Sequence, residues 1–336
     1  MLKRIAINSP EFGRDNKKSN FVLSTEQPQL LTPLYYNHHL YYPTPLTGSV
    51  YSTSPDSSNF SFPYNFIQHK KDEYWWPKVP ETSINILNLL KRETNYLADP
   101  SYLDVKNKLK LKYEFRSDLI RLMQTLSNEF KYHGETLFMA TNFLDRYFQN
   151  LKTVTKKNLN LVPLTCIYIS SKLNEENKEP VALDYINYSL EFLNSNNLVK
   201  FCSFFNNEFF SEKNLKDFEK KVLKDLNFNV SIVTPHAFVD EILSLFPELF
   251  NKKQKIYLMD RCEIYFASSL FDCRFLKYKP SILAASTLLI VYEKFPEVVR
   301  CCSDESLVKL LNFNSTDIEA FKFCKKGLSN IIPSTI

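Results

Sequence analysis

The run Leu161 to Lys172, LVPLTCIYISSK, is apolar on nearly every face until it reaches Ser170, Ser171 and Lys172. A helix with no polar side must be enclosed by other elements, so this stretch predicts the central helix of a helical bundle. The abruptly polar Asn174-Glu175-Glu176-Asn177-Lys178-Glu179-Pro180 follows, and its proline closes the helix. The buried rod is therefore expected to end in a charged, presented rim.

Helical spacing of apolar residues extends on both sides of this run. Ser83 to Leu90 predicts a short helix. Phe115 to Phe130, Thr136 to Leu151, the central helix, Val181 to Leu190 and Lys213 to Leu226 then make a set of five. After LNFNVSIVTP the pattern restarts with Pro235 to Phe246, Lys255 to Phe271, Pro280 to Phe295, Asp304 to Leu311 and Ser315 to about Ile331. The third helix of each set is the most apolar, which reads as a duplicated module. Strand signals are almost absent, so the expected class is all-α, two tandem five-helix folds behind a disordered N-terminal tail. The expected boundaries are 1–78 for a Pro/Ser/Tyr-rich tail, 79–232 for the first module with a preceding helix, and 233–336 for the second.

Composition narrows the function. Four glycines in 336 residues leave no G-x-G-x-x-G or Walker-type loop, which disfavours nucleotide enzymes. The formal charge of +5 falls short of a nucleic-acid-binding stripe, and seven scattered cysteines with no C-x-x-C make neither a zinc ribbon nor a disulfide framework. The expectation is a reducing compartment, no metal, no cofactor, no membrane span and no catalytic group. The tail carries Ser9-Pro10, Thr32-Pro33, Thr44-Pro45 and Ser54-Pro55. Each is a minimal site for a proline-directed kinase and equally a common linker dipeptide. Trp75-Trp76 beside Tyr74 is expected to anchor the end of the tail.

Two sets of charges sit where apolar residues belong. Arg116 lies one turn before Leu119, and Asp145 interrupts the stripe between Leu144 and Phe148. Burying either alone costs several kcal/mol, so a mutual Arg116–Asp145 bond is the structural solution. Lys172 ends a face formed by Thr165, Tyr168 and Ile169, and Glu219 sits among Leu215, Phe218 and Val222. In one reading Lys172 complements the helix dipole and Glu219 is merely solvated. In the other the two charges, with Ile169 and Phe218, frame an interface for a partner.

The segments FRSDLIRLM, ETLFMATNFLDRYF, LNLVPLTCIYISSKLNEE, EKNLKDFEKKVLKDLNFNVSIVTPHAF and KPSILAASTLLIVYE, in this order, resemble the cyclins, activating subunits of cyclin-dependent kinases. The resemblance runs from about Ile84 to Ile332. It implies two five-helix folds, a buried ion pair at Arg116 and Asp145, and kinase binding by Lys172 and Glu219. TPHAFVDEIL and ILNLLKRETNYLADPSYL are similar to D-type, G1-phase cyclins. The family's substrate-docking patch maps onto Phe115, Leu119, Leu122 and Asn160, with Asp118 in place of an apolar residue, so substrates and inhibitors are expected to dock in a modified way. Pro163 stands where glycine is common and should kink the helix or shift its start. Leu190 to Phe210 is longer than the family requires, and its phenylalanines suggest packing beside the kinase face.

The resemblance implies a non-catalytic subunit that forms a heterodimer with a cyclin-dependent serine/threonine kinase and activates it in cell-cycle control, in nucleus and cytoplasm. The alternatives are a transcriptional cyclin and a cyclin-like general transcription factor on promoter DNA. The latter calls for a zinc ribbon and a basic face, which this sequence lacks.

Overall fold

The computed structural model describes residues 81–103, 113–149, 159, 161–176, 181–195, 211–295 and 300–331. The tail expected over 1–78, with Ser9, Thr32, Thr44, Ser54 and the paired tryptophans, lies outside these residues. So do Asn160 and residues 196–210 of the long segment. The described residues hold eleven α-helices and no strand.

After α1 (Ile84–Glu93), the first set comprises α2 (Tyr113–Glu129), α3 (Gly134–Gln149), α4 (Leu161–Asn174), α5 (Ala182–Ser195) and α6 (Glu212–Asp225). The second comprises α7 (Pro235–Ser244), α8 (Lys252–Leu270), α9 (Pro280–Lys294), α10 (Asp304–Leu310) and α11 (Ser315–Ile331). The all-α class and the two tandem five-helix folds are as expected. Most helix starts are written locally. Ser83, Ser211, Thr234, Asn251 and Ser303 each accept a backbone N–H three residues on, and Pro235 and Pro280 occupy first positions where no N–H is needed. Pro163 falls in the first turn of α4, where its missing N–H costs nothing, so it marks the start of the helix and does not kink it.

Each set has its own core, with α4 at the centre of the first and α9 at the centre of the second. Leu161 through Ser171 are all buried in α4, and Pro280 through Tyr292 are all buried in α9. Ser170 and Ser171 survive there because their hydroxyls donate back to the carbonyls of Cys166 and Tyr168, each at 2.9 Å.

Helix α1 precedes the first set in the chain but packs on the second core. Ile86 is in the second core, with Leu89 and Leu90 packed against it. Glu93 ends α1 by capping the N-terminus of α9, accepting from Ser281 N at 2.9 Å and Ser281 Oγ at 3.0 Å. Burial raises the pKa of this carboxyl, and the Ser281 bonds pull it only partly back. Thr82 Oγ1 donates to Leu310 O, and Asn85 Nδ2 donates to Glu241. An amphipathic stripe announces that a helix is covered without saying by what, and here the cover lies more than 150 residues away.

The expected Arg116–Asp145 contact is present and larger than a pair. Arg116 donates from Nε and Nη2 to the two Asp145 oxygens at 2.8 Å each, and from Nη1 to Leu270 O at 2.6 Å. Tyr102 donates its hydroxyl to the same carboxylate. Arg116 is 2% exposed and Asp145 0%. Burial works against the guanidinium charge, but Asp145 more than offsets it and the pKa of Arg116 is raised. A second joint lies at the start of α3. Thr234 Oγ1 donates to Glu135 at 2.5 Å, and His236 Nε2 meets Glu263 Oε2 at 2.5 Å, with Phe138 and Phe266 edge-on to the imidazole. A Cβ on Gly134 would overlap the Glu263 carboxylate and force it to shift from His236.

Replacing Asp145 by Ala leaves the buried guanidinium without its carboxylate and should cost about 3–5 kcal/mol, read as a lower urea midpoint. The His236 joint should depend on pH. Desolvation lowers the imidazole pKa, Glu263 and then Glu135 raise it by more, and the net shift is upward. Its stabilisation is thus complete below the unfolded value of about 6.5 and lost as pH rises through the folded value. Melting temperatures of the unmodified chain should fall relative to His236→Gln as pH climbs above about 6.5. Gly134→Ala, which displaces Glu263, should flatten the same curve.

Candidate functional site

Lys172 stands in the last turn of α4, where a cation suits the helix C-terminus. Helix α6 packs against α4 through Leu215, Phe218 and Val222. That seating brings Glu219, the residue after Phe218, to the edge of the buried stripe. The two charges meet: Lys172 Nζ donates to Glu219 Oε1 at 2.8 Å and Oε2 at 3.0 Å. The Lys172 side chain is 39% exposed and that of Glu219 15%. A merely solvated glutamate does not describe this mutual pair.

The lysine has a second contact. Its Nζ lies 4.2 Å from the centroid of the Tyr168 ring, one turn earlier on α4. Burial lowers the Lys172 pKa, the Glu219 bonds raise it by more, and the net effect is upward. Lys172 is therefore an ammonium at neutral pH. Beneath it runs a hydrogen-bonded chain that the sequence reading did not single out. The Tyr132 and Tyr185 hydroxyls meet at 2.6 Å, Tyr185 donates to Ser171 Oγ at 2.8 Å, and Ser171 donates to Tyr168 O. Tyr132 stands between Lys131 and His133 and Tyr185 follows Asp184, so nothing in the sequence marks these hydroxyls as buried and obliged to find partners.

The polar run after α4 is only partly a rim. Glu175 is buried and folds back to cap α3, accepting from His133 N at 2.8 Å and Thr136 Oγ1 at 2.6 Å. Asn174 Nδ2 donates to the same Thr136 hydroxyl. Leu173, Val181 and Leu183, by contrast, are about half exposed around the end of α4. Phe228, just past α6, is 64% exposed on a positive φ of 54°, directly after Asn227 at 53°. Two consecutive left-handed non-glycine residues are uncommon, and they turn this ring outward.

Other candidate residues lie elsewhere. Ile169 and Phe218 are buried in the first core, so they seat α4 and α6 and do not form the apolar centre of a surface. Leu119 and Leu122 are core residues as well, because they fall on the same face of α2 as Met123 and Leu126. Of the expected docking patch, only Phe115 remains partly exposed among the described residues, beside Asp118, which is paired with Arg121 at 2.9 Å. Those residues contain no cluster of three groups able to hold a metal, and none of their helices is long and apolar enough to cross a membrane.

The family model described as "Cyclin, N-terminal domain" matches residues 85–231, and "Cyclin, C-terminal domain" matches 233–322. The G1/S-specific cyclin-D2 of Rattus norvegicus is 27% identical over 253 residues, covering 74% of this chain and 80% of that protein. The G1/S-specific cyclin-D1 of Danio rerio is 24% identical over 261 residues, covering 75% and 82%. A crystal structure of a viral cyclin from herpesvirus saimiri superposes with a TM-score of 0.55 at 20% identity, over 74% of this chain and 97% of that one.

An ion pair as exposed as Lys172–Glu219 contributes about 0.2–1 kcal/mol to stability. Lys172→Ala should therefore leave the melting temperature within about 4 °C of the unmodified chain, and a larger fall would make the pair a structural element.

Proposed function

This chain belongs to the cyclin family, and from that membership we propose that it is the regulatory subunit of a cyclin-dependent serine/threonine kinase acting in cell-cycle control, at the G1-to-S step, in nucleus and cytoplasm. The observation that carries the proposal is the surface Lys172–Glu219 pair, with exposed Leu173 next to the lysine and exposed Val181 and Leu183 opening the following helix. A protein interface typically has such a make-up, with apolar area to bury and charge to set the register.

The cyclin contributes no catalytic group in this scheme. It binds the active arrangement of the kinase better than the inactive one and shifts the population toward it. In the active arrangement the regulatory helix of the kinase is turned inward, its lysine–glutamate pair is aligned, and the activation loop is released from the active site. Lys172 supplies donors to that helix and Glu219 supplies acceptors, while the exposed apolar residues exclude water from both. Rigid packing of α4 and α6 on the first core keeps the two charges at a fixed separation.

The test is retrieval of cellular protein kinases by the full chain beside a Lys172→Ala/Glu219→Ala variant, with histone phosphorylation measured in each eluate. The unmodified chain should retrieve an active kinase. Truncating interface hot-spot charges costs about 2 kcal/mol or more, so the variant should bind roughly thirtyfold more weakly. Equal retrieval by the two chains, or no kinase with either, would refute the assignment.

A further inference from the structure

Lysine is a flexible anchor, and a partner that engages it normally has to order it first. Lys172 is already held on two sides. Glu219 accepts from its ammonium, and the Tyr168 ring lies 4.2 Å from Nζ. The four-residue spacing puts Tyr168 and Lys172 on one face of α4. An aromatic face carries negative potential and attracts a cation above it.

The ring itself has little freedom. Tyr168 is 4% exposed. Its ring stands edge-on to that of Tyr185, with centroids 5.4 Å apart and an interplanar angle of 79°. Tyr185 is tied in turn through its hydroxyl to Ser171 and Tyr132. The floor under Lys172 is thus built from the core of the first set outward.

We infer that Tyr168 is a positioning residue for the kinase-facing pair: its clamped ring holds the Lys172 ammonium against Glu219 before any partner arrives. Tyr168 is too buried to touch a partner broadly, so it acts through Lys172. The inference rests on the reading of this face given above. The Tyr168 hydroxyl also favours the charged lysine, and the inference predicts that the ring face supplies the greater part of the hold. Phenylalanine should serve at 168, and leucine, of comparable apolar character but without a π face, should not.

The experiment uses the full chain with two readouts. In the first, lysines are dimethylated with 13C-formaldehyde, which preserves their charge, and the Lys172 signal is assigned by its loss in Lys172→Ala. Held over the ring, its N-methyl resonance should lie upfield of the other lysines in the unmodified chain and in Tyr168→Phe, and should rejoin them in Tyr168→Leu. In the second, the kinase that the unmodified chain retrieves is purified and titrated. Tyr168→Leu should bind it about three- to tenfold more weakly and Tyr168→Phe nearly normally. On a Lys172→Ala background Tyr168→Leu should cause no further loss.

An unshifted Lys172 resonance in the unmodified chain would overturn the inference, and that measurement needs no variant to fold. A loss from Tyr168→Leu that persists in full on the Lys172→Ala background would also overturn it, since Tyr168 would then act through core packing. Should the unmodified chain bind no kinase, the reading of the face fails, while the resonance still decides whether Tyr168 positions Lys172.

Discussion

One buried guanidinium organises the molecule. A cation enclosed as fully as Arg116 persists only if a counter-charge and hydrogen bonds compensate it, because desolvation alone costs several kcal/mol. Asp145 takes two of its bonds, and the third goes to the carbonyl of Leu270. That carbonyl is one of the acceptors a helix leaves unpaired at its C-terminus. A single side chain on α2 therefore neutralises a charge on α3 and completes the end of α8, fastening the first set of helices to the second. Since α2 and α3 both belong with α4 to the first core, this bond also fixes two of the neighbours that enclose the central helix.

Much of this was legible in the sequence, for identifiable reasons. Wholly apolar helices have one environment open to them, so α4 and α9 were plain. Arg116 and Asp145 could be matched because each was an error on its own stripe that only the other could correct. The Lys172–Glu219 bond was less visible: each residue sits at the rim of a stripe, where solvent is an adequate partner, so spacing could not tell a bond from two hydrated charges. Leu119 and Leu122 were misplaced because family correspondence assigned them a surface role that the face of α2 does not allow. Glu175 reads as loop in any pattern, since the orphan N–H groups it satisfies belong to another helix. Tyr102 sits in an irregular turn with no periodicity to mark it.

The duplication is informative where the copies differ. In each set the end of the third helix is tied to the fifth by an ion pair. In the first the cation is on the third helix, as Lys172, and the anion on the fifth, as Glu219. In the second the signs are exchanged: Glu293 of α9 pairs with Lys325 of α11 at 2.8 Å. The tie suits the shared packing of third helix on fifth, whereas its polarity is free to vary. Two modules of one architecture thus show a partner different charge patterns, and in the first an aromatic ring lies beneath the cation.

The seating of α1 has a consequence in time. Its apolar residues are among the first of the described part to leave the ribosome, yet Ser281 and Leu310, which hold its two ends, lie 188 and 228 residues later. At a synthesis rate of about 5–20 residues per second, the helix waits roughly 10–45 seconds for a surface to exist. The first set of helices can close meanwhile, because its core needs nothing from α1. The nascent chain thus carries an unburied Ile86, Leu89 and Leu90 through most of its own translation, a window in which a chaperone has something to hold and after which it has nothing.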